Sequence, residues 1–160
     1  MSNSRSHLSV SEVSALVEQH FPQVHEGTGR ISIERLDVAQ TVVRMAYDER
    51  AIRPGGTISG PAMFKVADFG VYVAILGRLG ADGLQAVTTN LTINFLSRPQ
   101  PAALIAKIQL MKLGRRLAVA EVKLYSEGRD EVVAHATATY AIPPPGMGNT
   151  STHQSRFVGT

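Results

Sequence analysis

Between residues 9 and 21, "SVSEVSALVEQHF", apolar side chains return at Val10, Val13, Leu16 and Val17, with His20 or Phe21 one turn further on. That spacing predicts a short amphipathic helix. Ser9 and Glu12 stand at capping-box spacing, and Pro22 ends the helix. The period then changes: Ile31 and Ile33 alternate, and Val38 to Tyr47 is rich in β-branched residues, so two strands are expected. Residues 50–58 read as a loop. Ser59 is placed to cap a helix from Pro61 to about Leu79, with proline at a favoured first position. Gly80, Asp82 and Gly83 stop it.

Strand-like runs follow: "QAVTTNLTINFLS" up to Arg98-Pro99, "ALIAKIQLMKL" up to Gly114, "RRLAVAEVKLYSE" up to Gly128, and "EVVAHATATYAI" up to the prolines at 143–145. The turns "KLGRR" and "SEGRD" are short, so the last strands should be antiparallel neighbours. No internal repeat is visible. The second helix is apolar all round and must be covered on most sides. An antiparallel sheet curled around it does that, which makes the chain α+β. An edge strand as long and apolar as residues 86–96 is suited to pair with a second copy, so a dimer is expected.

Composition narrows the chemistry. At 160 residues, 44% hydrophobic and 18% charged, the chain holds one domain with one core. Lys65, Asp68 and Arg78 interrupt the longest apolar run, so no segment reads as a membrane span. The start, "MSNSRSHLSV", lacks the apolar stretch of a signal peptide, and a reducing, cytoplasmic setting is the expectation. The absence of cysteine excludes disulfides, thiolate metal sites and cysteine nucleophiles. A net charge of +3 with 6% aromatic residues argues against a nucleic-acid partner. The tail "GMGNTSTHQSRFVGT" is polar and reads as disordered.

The informative oddity is Asp68, a lone carboxylate in "RPGGTISGPAMFKVADFGVYVAI". A charge there needs a partner or a use. One reading pairs it with Lys65, one turn earlier, or with a basic residue across an interface. The other makes it a base or nucleophile tuned by burial. Gly55 and Gly60 have the spacing of a phosphate loop, but Pro61 and Ala62 replace its lysine and hydroxyl. The glycines are therefore either a flexible connector or a close approach for a ligand carbonyl at the positive helix end. His20 and His135 read as packing or surface residues, and His7 and His153 lie in the tails. No histidine stands between His25 and His135, so neither an Asp–His acid–base pair nor a Ser–His–Asp triad is indicated, and no metal-ligand spacing occurs. No cofactor is expected.

"GTISGPAMFKVAD", residues 56–68, is similar to the G-T-x-H-G-G-x-x-x-x-L-x-D motif of the hotdog-fold acyl-CoA thioesterases of the phenylacetate-pathway (PaaI-like) type. "VTTNLTINFLSRP" and "KLGRRLAVAEVKLYSEGRDEVVAHATATYAI" resemble strands and closing hairpins of the same family. The resemblance covers roughly residues 28–142 and implies three parts: an N-terminal helical segment (1–27), a hotdog domain (28–142) and a tail (143–160). It also implies hydrolysis of an acyl-CoA thioester carrying an aromatic or medium-chain acyl group. The alternative is a non-catalytic acyl-CoA or lipid-binding hotdog protein.

By the same resemblance Asp68 is the catalytic carboxylate, the Gly60 N–H polarises the thioester carbonyl, and Thr88 holds the attacking water. The site is shared across a homodimer, itself free to pair into a dimer of dimers, with Asp68 from one subunit and Gly60 from the other. Three substrate-orienting positions depart from the family pattern: its histidine is Ser59, its second glycine is Pro61 and an upstream asparagine is Arg53. The basic turn with Lys112, Arg115 and Arg116, together with Arg98, is either a contact for the coenzyme A phosphates or a solvated hairpin tip.

Overall fold

The computed structural model describes residues 7–144, so the expected tail lies outside the described residues beyond Pro144. Helix α1 spans Val10–His20. The Ser9 hydroxyl accepts from the Glu12 N–H at 3.2 Å, and the Glu12 carboxylate accepts from the Ser9 N–H at 2.7 Å. This capping box satisfies two donors that a helix start leaves without partners. Pro22 opens a single 3-10 turn, Pro22–His25.

Strands β1 (Ile31–Leu36) and β2 (Thr41–Met45) form an antiparallel hairpin. Val38, expected in the second strand, instead lies in the connecting turn and is 72% exposed. There the Asp37 carboxylate accepts from the backbone N–H groups of Ala39 and Gln40 at 2.8 and 2.9 Å, a local turn that overrides β-branched composition. The expected loop at 50–58 holds a small hairpin, β3 (Ile52–Arg53) and β4 (Thr57–Ile58). It turns at Gly55 and Gly56, whose φ angles of 105° and 80° suit glycine.

Helix α2 runs Gly60–Leu79, with Ser59 as its cap: the Ser59 hydroxyl accepts from the Ala62 N–H at 3.3 Å. Four long strands follow, β5 (Val87–Phe95), β6 (Leu104–Leu113), β7 (Leu117–Ser126) and β8 (Val132–Ala141). The six-stranded antiparallel sheet has the order β1-β2-β6-β7-β8-β5. β6, β7 and β8 are neighbours, as their short turns predict, whereas β5 crosses to the far side and pairs with β8. The chain leaving α2 thus lays down one edge before returning to the sheet's centre. No described helix is long and apolar enough to cross a membrane.

The sheet curls around α2 and meets it through small residues. Ala106, Ala118, Ala120, Ala134, Ala136 and Ala138 are buried on the inner face. Contact is close: a Cβ on Gly70 would come within 2.5 Å of Ile108 Cδ1. One stripe of α2 stays uncovered, while its other sides are buried, in keeping with a helix that must be covered on most sides. Pro61, Phe64, Lys65, Asp68 and Tyr72 recur at three- and four-residue intervals and remain partly or wholly exposed. The β1 edge of the sheet lies against α1, while the β5 edge exposes Val87 and Phe95 by more than half, at 55% and 52%.

Candidate active site

Asp68 lies midway along the uncovered stripe of α2, which explains how an apolar helix tolerates it. One of its oxygens, Oδ1, accepts from the Thr88 hydroxyl at 2.6 Å and from the Tyr140 phenol at 2.7 Å. The same phenol lies 2.8 Å from the Asp68 backbone carbonyl oxygen. These are short, well-formed hydroxyl-to-oxygen hydrogen bonds. Burial, and secondarily the negative charge of Asp68, pushes the Tyr140 phenol well above its ordinary ionisation range. Tyr140 therefore remains protonated and available as a donor.

Thr88 and Tyr140 are direct partners in the β5–β8 ladder, and a bulge makes them so. The register shifts between Thr88 and Asn90, leaving Thr89 as the extra residue. In strict alternation Thr88 would share a face with Asn90, Thr92 and Asn94, which oppose the outer residues Thr139, Thr137 and His135. One inserted residue reverses that parity and turns Thr88 toward α2.

Lys65 is not the partner of Asp68. Its ammonium donates to the Glu26 carbonyl at 2.8 Å and to the Thr28 hydroxyl at 2.9 Å, tying α2 to the segment before β1. Desolvation there lowers the Lys65 ammonium below its ordinary range. Among the described residues no salt bridge reaches Asp68. The structural reading of Asp68 as half of an ion pair with Lys65 is thereby corrected within one chain.

Asp68, Thr88 and Tyr140 line a cavity of about 740 Å³. Phe21 and Val24 close it from the N-terminal segment, Phe69 and Tyr72 from α2, and Leu84 and Ala86 from the approach to β5. The rings of Phe21, Phe69 and Tyr72 cluster with centroids 6.1 to 6.5 Å apart, Phe21 meeting Tyr72 edge-on. His20 lines this cavity too. It remains exposed at the end of α1, in keeping with the expected surface position.

Gly60 opens onto a different cavity, about 380 Å³, lined also by Arg53, Arg98 and Phe95. Its N–H belongs to the first helical turn and has no intrahelical partner, at the positive end of the helix dipole. Gly60 and Asp68 are separated by roughly 12 Å of helix, at about 1.5 Å rise per residue. Within one chain, then, Asp68 and Thr88 come together and Gly60 does not join them. Ser59 acts as the helix cap, Pro61 is exposed in the first turn, and Arg53 shares the Gly60 cavity rather than meeting Asp68. Arg115 and Arg116 are exposed on the β6–β7 turn and line neither cavity. Tyr140 escaped the sequence reading. Its signal was its place after Ala134, Ala136 and Ala138 on an inward track, where a bulky residue with a polar tip stands out.

These features can be set beside known proteins. The model of the thioesterase superfamily matches residues 55–139, from the β3–β4 hairpin through α2 and into β8. A candidate thioesterase from Silicibacter sp. TM1040 is 41% identical, with 86% of this chain and 93% of that one aligned at a TM-score of 0.76. A candidate esterase from Saccharolobus solfataricus is 29% identical over 136 residues, 84% of this chain and 86% of its own. A mutant of the phenylacetic acid degradation protein PaaI from Thermus thermophilus, 23% identical, shares the fold at a TM-score of 0.63 over 74% of this chain and 97% of that one. The chain therefore belongs to the thioesterase superfamily and carries its hotdog fold.

Proposed function

We propose that this protein hydrolyses an acyl-CoA thioester to the free acid and coenzyme A. The observation that carries the reading is the Asp68 carboxylate, held by two hydroxyl donors and without an ionic partner among the described residues, at the wall of a largely apolar cavity. In the reaction Asp68 takes a proton from water as the water oxygen attacks the thioester carbon. Alternatively it attacks that carbon itself, giving an anhydride that water cleaves. In both routes the carbon–sulfur bond breaks and the departing thiolate takes up a proton. Thr88 spends its proton on Asp68 but keeps lone pairs that can accept from the attacking water. The aromatic cluster of Phe21, Phe69 and Tyr72 supports an aromatic or medium-chain acyl group in the cavity.

The oxyanion donor, the Gly60 N–H, comes from a second copy in this reading. β5 runs from Thr88, beside the Asp68 cavity, to Phe95, whose ring would lie 3.3 Å from a Cβ on Gly60. Antiparallel pairing of this edge with its own copy about a two-fold axis sets the Thr88 end of one strand against the Phe95 end of the other. The Asp68 cavity then adjoins Gly60 of the partner subunit. Exposed Phe64, Val87, Phe95 and Leu96 flank the edge and support the pairing. The same arrangement brings Arg53 and Arg98 of the partner subunit toward the sheet end that bears Arg115 and Arg116, a cationic setting for the coenzyme A phosphates.

A panel of acyl-CoAs assayed for free thiol release tests this. Turnover that depends on Asp68 is expected, and no turnover above background overturns it. Calorimetric binding of the esters without hydrolysis would favour the acyl-CoA or lipid-binding alternative.

A further inference from the structure

We infer that Tyr140 is a positioning residue for Asp68: with Thr88 it holds Oδ1, leaving Oδ2 as the oxygen that acts on water or thioester. The inference rests on the reading of Asp68 as base or nucleophile. A carboxylate has about four lone-pair sites, two on each oxygen. Oδ1 has two donors, at 2.6 and 2.7 Å, whereas Oδ2 accepts no hydrogen bond among the described residues. The two oxygens are therefore inequivalent, and the less engaged one is the better proton acceptor.

The phenol does more than fill a lone pair. It lies within hydrogen-bond distance of both Oδ1 and the backbone carbonyl of the same residue, at 2.7 and 2.8 Å. Those two acceptors repel each other, and one shared proton between them fixes the carboxylate relative to its own helix. Tyr140 is itself buried, 3% exposed, so its ring cannot follow the carboxylate outward. Orientation of a reacting group is worth orders of magnitude in rate, and small misplacements are costly. A purely structural role, a staple between β8 and α2, uses the same contacts and must be separated by experiment.

The test is Tyr140→Phe, made with Asp68 present and in an Asp68→Asn background, with kcat, KM and melting temperature measured for an acyl-CoA that the wild type turns over. With Asp68 present, kcat should fall about tenfold while KM stays within about twofold, the scale of one hydrogen bond to a charged group. In the Asp68→Asn background the residual rate should not fall further. Equal losses in both backgrounds, or an unchanged kcat beside Asp68, overturn the inference. Asp68→Asn activity within about threefold of wild type is a separate result: it removes the underlying reading and this inference with it. Should Tyr140→Phe melt below the assay temperature, 3-fluorotyrosine incorporated at the four tyrosines keeps the fold while strengthening the donor. It should change kcat only where Asp68 is present, and an unchanged kcat there counts against Tyr140.

Discussion

Thr88 and Tyr140 face each other across the β5–β8 pair and converge on a single oxygen, Oδ1 of Asp68, at 2.6 and 2.7 Å. This explains the lone carboxylate of an otherwise apolar helix. Among the described residues it has no ionic partner; it lies on the one helical stripe the sheet leaves open, held by hydroxyls from two strands. Such an arrangement keeps the carboxylate oriented through hydroxyl hydrogen bonds.

The first prediction concerns Thr88→Val, which preserves side-chain shape and β preference while removing the donor. kcat/KM should fall about tenfold, the loss of one charge-assisted hydrogen bond. Because valine keeps the side chain's volume and β preference, the melting temperature should stay within about 4 °C of wild type. Steady-state kinetics and a thermal melt on one preparation check both, and unchanged kcat/KM would remove Thr88 from the site.

A second prediction follows from the buried phenol. Folded Tyr140 keeps its proton well above the ordinary tyrosine value of 10.0, at which the unfolded chain releases it. The stabilisation is therefore complete below about pH 10 and is lost as pH rises further, because the unfolded state then binds fewer protons. Tyr72, also raised by burial, tilts stability the same way. Urea unfolding between about pH 10 and 11 should show wild type losing stability more steeply than Tyr140→Phe, by up to about 1.4 kcal/mol per pH unit for one proton. Equal slopes would contradict a buried, protonated phenol.

Much of the fold is legible in the sequence because its signals are local. The capping box of Ser9 and Glu12, the Ser59 cap and the short turns around Gly114 and Gly128 each act within a few residues, and α1, α2 and the β6–β7–β8 meander follow from them. Asp68 is legible for a different reason, as a charge in the wrong company. What escapes the sequence is set by pairing over long separations. The partner of β5 is β8, not its neighbour in sequence, and only that pairing creates the bulge at Thr89 that turns Thr88 inward. Tyr140 stands 72 residues from the carboxylate it holds. Lys65 sits one turn from Asp68, yet the Glu26 carbonyl and the Thr28 hydroxyl, reached only once the chain has folded back, take its ammonium.

The proposed sharing of the site between two copies yields a third prediction. Light scattering at micromolar concentration should give at least twice the 17.2 kDa chain mass. Gly60→Pro, which deletes the N–H proposed as the oxyanion donor at a position where helices accept proline, should be inactive, as should Asp68→Asn. Unfolded and refolded together in equal amounts, the two should regain about a quarter of wild-type activity. Half of the dimers would be mixed, and each mixed dimer would have one intact site out of two. No recovery from a mixture shown to exchange subunits would mean that Asp68 and Gly60 do not work across the interface.

The most direct measurement is the rate of thiol release from an acyl-CoA by Asp68→Asn, set against its melting temperature. Asparagine keeps the side chain's shape and its ability to accept from Thr88 and Tyr140, while deleting the charge and the basicity. The account predicts a loss of about 10²-fold or more in kcat with the fold intact, because relieving a partly buried charge is often neutral or stabilising. A rate within about threefold of wild type, accompanied by a lowered melting temperature, would contradict it and make Asp68 a structural residue.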